Sequence, residues 1–224
     1  MPEPRTTTLR PPRRGRRPRT YAAVLSATTE LLETVPLAQL SVARILAVAG
    51  VSRTSFYEHF TSKEDVVVKL VRSISAEVAE EIEPMFARDG RGPEQAFREG
   101  LSRLLRVSAR HAPLVLAASE EWPAVPELHR LWFRMHGELT RRLAELIASE
   151  RAAGRAPDGA DPEALAACLV WAGERAFPVA MTGEISGLSG QDALIEPLVQ
   201  LYVGTIYRRP VTLGDDSSES VAIP

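Results

Sequence analysis

The chain has 224 residues, 45% of them hydrophobic, with 27 Lys and Arg against 29 Asp and Glu, one Cys and a net charge of -2. That content excludes a wholly disordered chain, and a single cysteine, Cys168, excludes an internal disulfide and a thiolate-rich metal site. No run approaches the about 20 uninterrupted apolar residues of a membrane span, and the early arginines lead into a polar amphipathic segment instead of a signal-peptide core, so a cytoplasmic protein is expected.

Residues 1–19 are rich in Pro and Arg and lack periodicity, which predicts a flexible arm. From Thr20 the pattern is helical. Val24, Leu25, Thr28, Leu31, Leu32 and Val35 mark one face of a first helix that Pro36 ends. Ser41 is the N-cap of a short second helix with Val42, Ile45, Leu46 and Ala49 inward, and Gly50 supplies its left-handed close. Ser52 caps a third helix whose inward stripe is Phe56 and Phe60. Ser62, Glu64 and Asp65 open a long fourth helix with Val67, Leu70, Val71, Ile74, Val78 and Ile82 inward.

After "RDGRGP" a fifth helix carries Phe97, Leu101, Leu104, Leu105 and Ser108, and a short sixth spans about Pro113 to Ser119. A long helix starts near Pro126 and stops at "AAGRAPDG". Asp161 and Pro162 open the next, which runs to about Met181. "TGEISGLSG" is a loop, and a last helix carries Leu194, Leu198, Leu201, Tyr202 and Ile206 before a fraying tail over 209–224. Cys168, set among alanines and leucines, is expected to be buried. The reading is an all-α fold of about nine helices.

Charge is divided unevenly along this plan. Residues 1–63 hold ten basic and four acidic residues, hence +6, and subtraction from the total of -2 leaves -8 on the remaining 161. A basic module on an acidic body points to a polyanion partner for one end only, nucleic acid first and anionic membrane second.

Two short helices about a Gly-containing turn fit the helix-turn-helix pattern, whose second helix enters the major groove. With Phe56 and Phe60 assigned inward, Arg53, Thr54, Ser55, Tyr57 and His59 crowd the outer and leading faces of that helix. Arg can fork onto guanine, Thr and Ser can meet a base edge, and Tyr and His can reach phosphate oxygens. Lys63 adds a phosphate contact beside free amides of a helix start, Arg44 reaches flanking backbone, and Arg13, Arg14, Arg16 and Arg17 enter a minor groove or raise non-specific affinity.

The stretch "LSVARILAVAGVSRTSFYEHFTSKEDVVVKLV", residues 40–71, resembles the N-terminal domain of TetR-family transcriptional regulators in its apolar spacing, Gly-Val turn, Phe-Tyr-x-His-Phe and Ser-Lys-Glu. The resemblance implies a homodimer that binds a palindromic operator through the third helix, acts as a repressor, and lets go when a small molecule enters the C-terminal domain. "ERAAG", "GERAFPVAMTGE" and "LYVGTIY", in that order, resemble the branch that includes the mycobacterial repressor of the ethionamide-activating monooxygenase. Relatives there carry ligand-contacting asparagines where this chain has Val170 and Gly173.

Aromatic and Met residues recur at helical spacing through the second half, a pattern that is most often plain core. Given the resemblance, Phe97, Leu104, Trp132, Met135, His136, Trp171 and Tyr202 are the expected lining of a cavity for a small apolar effector. Glu174 and Arg175 either join that lining or pair with each other or across the bundle. Small residues Ala166, Ala167, Ala172, Gly173 and Gly204 place the dimer face on the last two helices. The expected organisation is a helix-turn-helix domain over 20–66 and a ligand-binding and dimerisation domain over 67–208.

An enzyme is disfavoured: there is no HExxH, no G-x-S-x-G, no phosphate-cradling glycine loop and no ligand spacing among His59, His111, His129 and His136. No catalytic residue, metal or cofactor is therefore expected. The alternative is a non-enzymatic helical protein tethered to polyanions or a membrane surface by its arginine arm, which leaves the composition of the third helix without a cause.

Overall fold

Caps and apolar spacings carry through into helices, and the computed structural model, which describes residues 16–87, 90–184, 187 and 191–208, contains no strand among them. Helix α1 spans Arg16–Leu32, beginning ahead of Thr20, so Arg16 and Arg17 stand in its first turn. Arg13 and Arg14 lie outside the described residues. A 3-10 turn over Leu37–Gln39 precedes α2, Val42–Ala49, and Ser41 caps α2 by accepting from the Arg44 amide at 3.3 Å. Gly50 closes α2 at φ 63°, a conformation that a side chain disfavours. Ser52 accepts from the Ser55 amide at 3.1 Å to cap α3, Arg53–Tyr57.

Helix α4, Lys63–Glu81, has a two-way cap. Ser62 accepts from the Asp65 amide at 3.1 Å, while the Asp65 carboxylate accepts from the Thr61 amide at 2.9 Å. The apolar rhythm of α4 runs on past Ile82, yet the helix stops at Glu81 and a four-residue α5, Glu83–Phe86, follows. Pro84 is the cause: it has no amide to donate and its ring obstructs the preceding turn. The described residues thus form ten helices where about nine were expected. The others are α6 (Pro93–Arg110), α7 (Ala112–Glu121), α8 (Pro126–Ala152), α9 (Pro162–Thr182) and α10 (Gln191–Tyr207). Asp161 caps α9 by accepting from the Ala164 amide at 2.9 Å.

By its contacts the chain forms two compact units, Met1–Ser75 with His111–Trp132, and Ala76–Arg110 with Phe133–Pro224. In the first, α1 packs on α2, α3 and α7, and Val24, Ile45, Phe56, Phe60 and Val67 are buried. In the second, α6 packs on α5 and α10, and α9 on α10, around Phe97, Leu101, Leu105, Ile147, Leu169 and Tyr202. Arg98 clasps α10 to α6: its Nε lies 2.7 Å from Glu196 Oε1 and its Nη2 2.8 Å from Glu94 Oε1. The guanidinium holds the Glu196 carboxyl below its ordinary range, and as an exposed pair it contributes orientation more than stability.

One expectation about the last helices needs correction: Cys168 is exposed. Leu201 is likewise 40% exposed. Helix α9 is apolar nearly all round, so composition does not say which side faces in; the buried side is Ala166, Leu169, Val170, Gly173 and Glu174, and Cys168 falls opposite. By length and composition alone α9 could cross a membrane, as many core helices could, and 44% of its apolar stretch is buried within the fold.

Candidate nucleic-acid interface and sensing core

The α2–turn–α3 unit presents a polar face built on a locked aromatic base. Phe56 is fully buried, and Phe60 packs on it at 5.4 Å between ring centroids and on Tyr21 of α1 at 5.1 Å. Above that base Arg44, Arg53, Thr54 and Tyr57 are exposed. Tyr57 stands edge-on to Phe56 at 5.2 Å, and the Arg53 guanidinium lies 5.8 Å from the Tyr57 ring centre. These contacts orient both side chains before any partner arrives. Ser55 is half-buried and shares a hydrogen bond with Ser52 at 3.0 Å, so its hydroxyl serves the cap.

His59 and Lys63 are placed less simply than the spacing suggests. His59 lies beyond the end of α3, half-buried, with its ring 6.0 Å from Tyr21 and its Nε2 buried without a hydrogen-bond partner. The Lys63 ammonium donates to the Leu37 carbonyl at 2.8 Å and the Ala38 carbonyl at 3.1 Å, tying α4 to the 3-10 turn. Lys69, which the sequence did not single out, donates to the His59 carbonyl at 2.6 Å and to Asp65 at 3.0 Å, and lies 4.6 Å over the Phe60 ring. Lys63→Met is expected to lower stability by about 1–3 kcal/mol, the worth of charged hydrogen bonds to partly buried carbonyls. The salt slope of DNA binding separates the two roles of Lys63: an unchanged slope fits a clamp, and a loss of about one unit marks a phosphate contact.

The predicted sensing residues divide into three groups. Phe97 and Tyr202 are buried together with centroids 5.5 Å apart, and Leu104 packs against the same core. His136 stacks on Trp171 at 5.1 Å, Phe133 meets Trp171 at 5.3 Å, and Met135, His136 and Trp171 are half-buried. Trp132 belongs to the first unit, where it stacks on Trp122 at 6.4 Å. Glu174 is buried on the inner side of α9, while Arg175 is exposed with no ion pair among the described residues, so the two do not pair with each other.

The Tyr202 hydroxyl donates to the Leu169 carbonyl at 3.0 Å, and burial pushes its ionisation well above the ordinary tyrosine range, keeping it a donor. The Leu169 carbonyl was missed by sequence reasoning, because a main-chain oxygen gives no periodic signal, and Gly173 was read for the dimer face and not as a neighbour of the Tyr202 hydroxyl. Among the described residues no group of three His, Cys, Asp or Glu is placed to hold a metal ion.

Comparison with known proteins agrees with this arrangement. Residues 24–70 match the family described as "Bacterial regulatory proteins, tetR family", and residues 97–208 match "Transcriptional regulator EthR, C-terminal domain". The "HTH-type transcriptional regulator EthR" of Mycolicibacterium smegmatis is 28% identical over 186 residues, covering 83% of this chain and 85% of its own. Among solved structures, the regulatory protein TetR of Rhodobacter sphaeroides superposes with a TM-score of 0.63 at 24% identity, covering 83% of this chain and 98% of its own. The fatty acid degradation regulator FadR of Bacillus halodurans has a TM-score of 0.64 at 17% identity, covering 85% and 97%. A locked helix-turn-helix with an exposed polar face, followed by a helical sensing core matched over half the chain, places this protein in the TetR family of ligand-responsive transcriptional regulators, with an EthR-type C-terminal domain.

Proposed function

We propose that the protein is a homodimeric repressor that reads a palindromic operator through α3 and leaves it when a small apolar effector enters the second half of the chain. The observation that carries this is the pre-oriented pair Arg53 and Tyr57, held on the buried Phe56–Phe60 base with Thr54 and Arg44 exposed beside them. In this reading residues 20–66 read DNA and 67–208 sense and dimerise, helped by the arginine charge ahead of residue 20; 1–15 and 209–224 lie outside the described residues. Arg53, Thr54 and Tyr57 face the major groove; Arg44 and Lys63 meet backbone; Ser55 and His59 support α3; Arg13, Arg14, Arg16 and Arg17 flank the site. Arginines in the first turn of α1 oppose the helix dipole, a cost offset when phosphate sits at that end. As a DNA reader the protein acts in the cytoplasm and catalyses no reaction.

The effector site draws on the core around Phe97, Leu104 and Tyr202 and the rim of Met135, His136, Trp171 and Glu174. The dimer face follows the outward side of the last two helices. Ala166 and Gly173 are spent inside the core, which shifts that face to Ala164, Cys168, Ala172 and Arg175 of α9 with Leu201 of α10. The division of charge, +6 on residues 1–63 and -8 beyond, keeps the acidic half off the phosphates.

The test is a titration against DNA from upstream of the protein's own gene, with unrelated duplex as competitor and salt varied. Competitor-resistant binding is expected. Equal, weak binding to both duplexes would reduce the arginines to a general polyanion tether. Tyr57→Ala is expected to weaken specific binding roughly tenfold, about the worth of one good contact, with the circular dichroism spectrum intact. Unchanged binding would remove Tyr57 from the interface.

A further inference from the structure

We infer that Tyr202 is a built-in ligand: its phenol fills a slot in the second unit that is shaped for an aromatic hydroxyl, and the effector that takes its place is a small phenolic molecule. This rests on reading the second half as the effector-binding half. The slot has a floor, an anchor and a wall. Gly173 is the floor, because a β-carbon there would lie 2.9 Å from the Tyr202 hydroxyl oxygen and 3.7 Å from Phe177 Cε2. A side chain there would displace the phenol, so the hydroxyl end of the ring sits against the α9 backbone. The Leu169 carbonyl is the anchor, accepting the hydroxyl at 3.0 Å with the lone pair that a helical carbonyl keeps free of its own ladder. Phe97, tilted 49° with its centroid 5.5 Å away, is the aromatic wall.

The three parts select chemistry. A backbone floor without a side chain leaves room for a hydroxyl at the end of a ring and no bulk beyond it. A buried carbonyl that loses the Tyr202 hydroxyl keeps its helix bond, but its second lone pair is unused unless the incoming molecule brings a donor, so a phenol gains a bond that a plain hydrocarbon lacks and a carboxylate is repelled. An uncharged aromatic hydroxyl satisfies all three. Tyr202 sits on α10, the last described helix, so displacing its ring acts on the element that packs on both α6 and α9.

The experiment compares full-length wild type with Tyr202→Gly, which removes the equivalent of one p-cresol, by calorimetric titration with p-cresol and with toluene. Tyr202→Gly is expected to bind p-cresol at least tenfold more tightly than wild type does, and about fivefold more tightly than it binds toluene, the worth of one hydrogen bond. Equal affinity for the two compounds, or for the two proteins, would overturn the slot. Tyr202→Phe covers the case in which the glycine variant does not fold: a self-ligand without its hydroxyl competes less well, so p-cresol binding should strengthen about fivefold over wild type, and no change would overturn the competition. With duplex present, p-cresol and not toluene should lower the DNA affinity of Tyr202→Gly at least fivefold. Unchanged DNA affinity would overturn the effector role of the slot while leaving DNA reading intact, whereas a ligand-free wild type that binds no duplex would count against the regulator reading itself.

Discussion

Phe60→Ala is expected to cost about 3–5 kcal/mol, the range for truncating a buried aromatic, out of the about 5–15 kcal/mol that holds a domain together. Phe60 is 1% exposed and is the meeting point of three elements: it stacks on Tyr21 of α1 with planes 14° apart, packs on Phe56 of α3, and lies under the Lys69 ammonium of α4. Small side chains cannot collapse into a gap bordered by two rigid rings, so most of the cavity persists. Urea unfolding should show the loss, and specific DNA binding should fail with it because α3 loses its support. Phe133→Ala is the matched control, since Phe133 is 48% exposed and its truncation should change stability by less than about 1 kcal/mol. A Phe60→Ala protein as stable as that control would show that the aromatic base is not what holds α3.

Gly100→Ala should be destabilising although alanine is the better helix former. A β-carbon at Gly100 on α6 would lie 1.9 Å from Met85 Cγ and 2.8 Å from its sulfur, so Met85 and the short α5 must move. Overpacking of this kind costs about 1–3 kcal/mol, more than the about 1 kcal/mol that replacing a helical glycine gains. The cause can be isolated with Met85→Ala, which removes the obstructing atoms. The double variant should be more stable than the sum of the single changes by at least about 1 kcal/mol in thermal unfolding. Simple additivity would mean that the contact between α5 and α6 yields without strain.

The helix-turn-helix was legible because its signals are local. Ser41, Gly50 and Ser52 each act within four residues of themselves, and the structure uses all three as read. The break before α5 was missed because the apolar rhythm through Val78 and Ile82 outweighed one proline. Side chains with long reach defeated the pattern altogether. Lys63 looks like a surface cation until the Leu37 and Ala38 carbonyls arrive from residues far back in the chain. Trp132 reads as one more turn of the α8 stripe, and its stacking on Trp122 within the first unit is not visible in that rhythm. The expected burial of Cys168 failed for a different reason: on a helix that is apolar nearly all round, burial is decided by neighbours and not by the residue. Gly173 was noted as a departure from a pattern, while its use as the seat of the Tyr202 hydroxyl depends on a residue one helix later.

The ties at the start of α4 have a mechanical consequence. Lys63 fastens it to the turn after α1, Asp65 to the Thr61 amide, and Lys69 to the carbonyl just beyond α3. Three fastenings within two turns of helix leave no slack there, so the first turns of α4 and the DNA-facing motif respond to a load as one stiff piece. Beyond Lys69 the first such bond within α4 is local: the Ser75 hydroxyl bonds back to the Val71 carbonyl, an arrangement that favours bending of a helix. A torque applied to α4 ahead of that point is expected to carry α3 with it, because the same fastenings hold both.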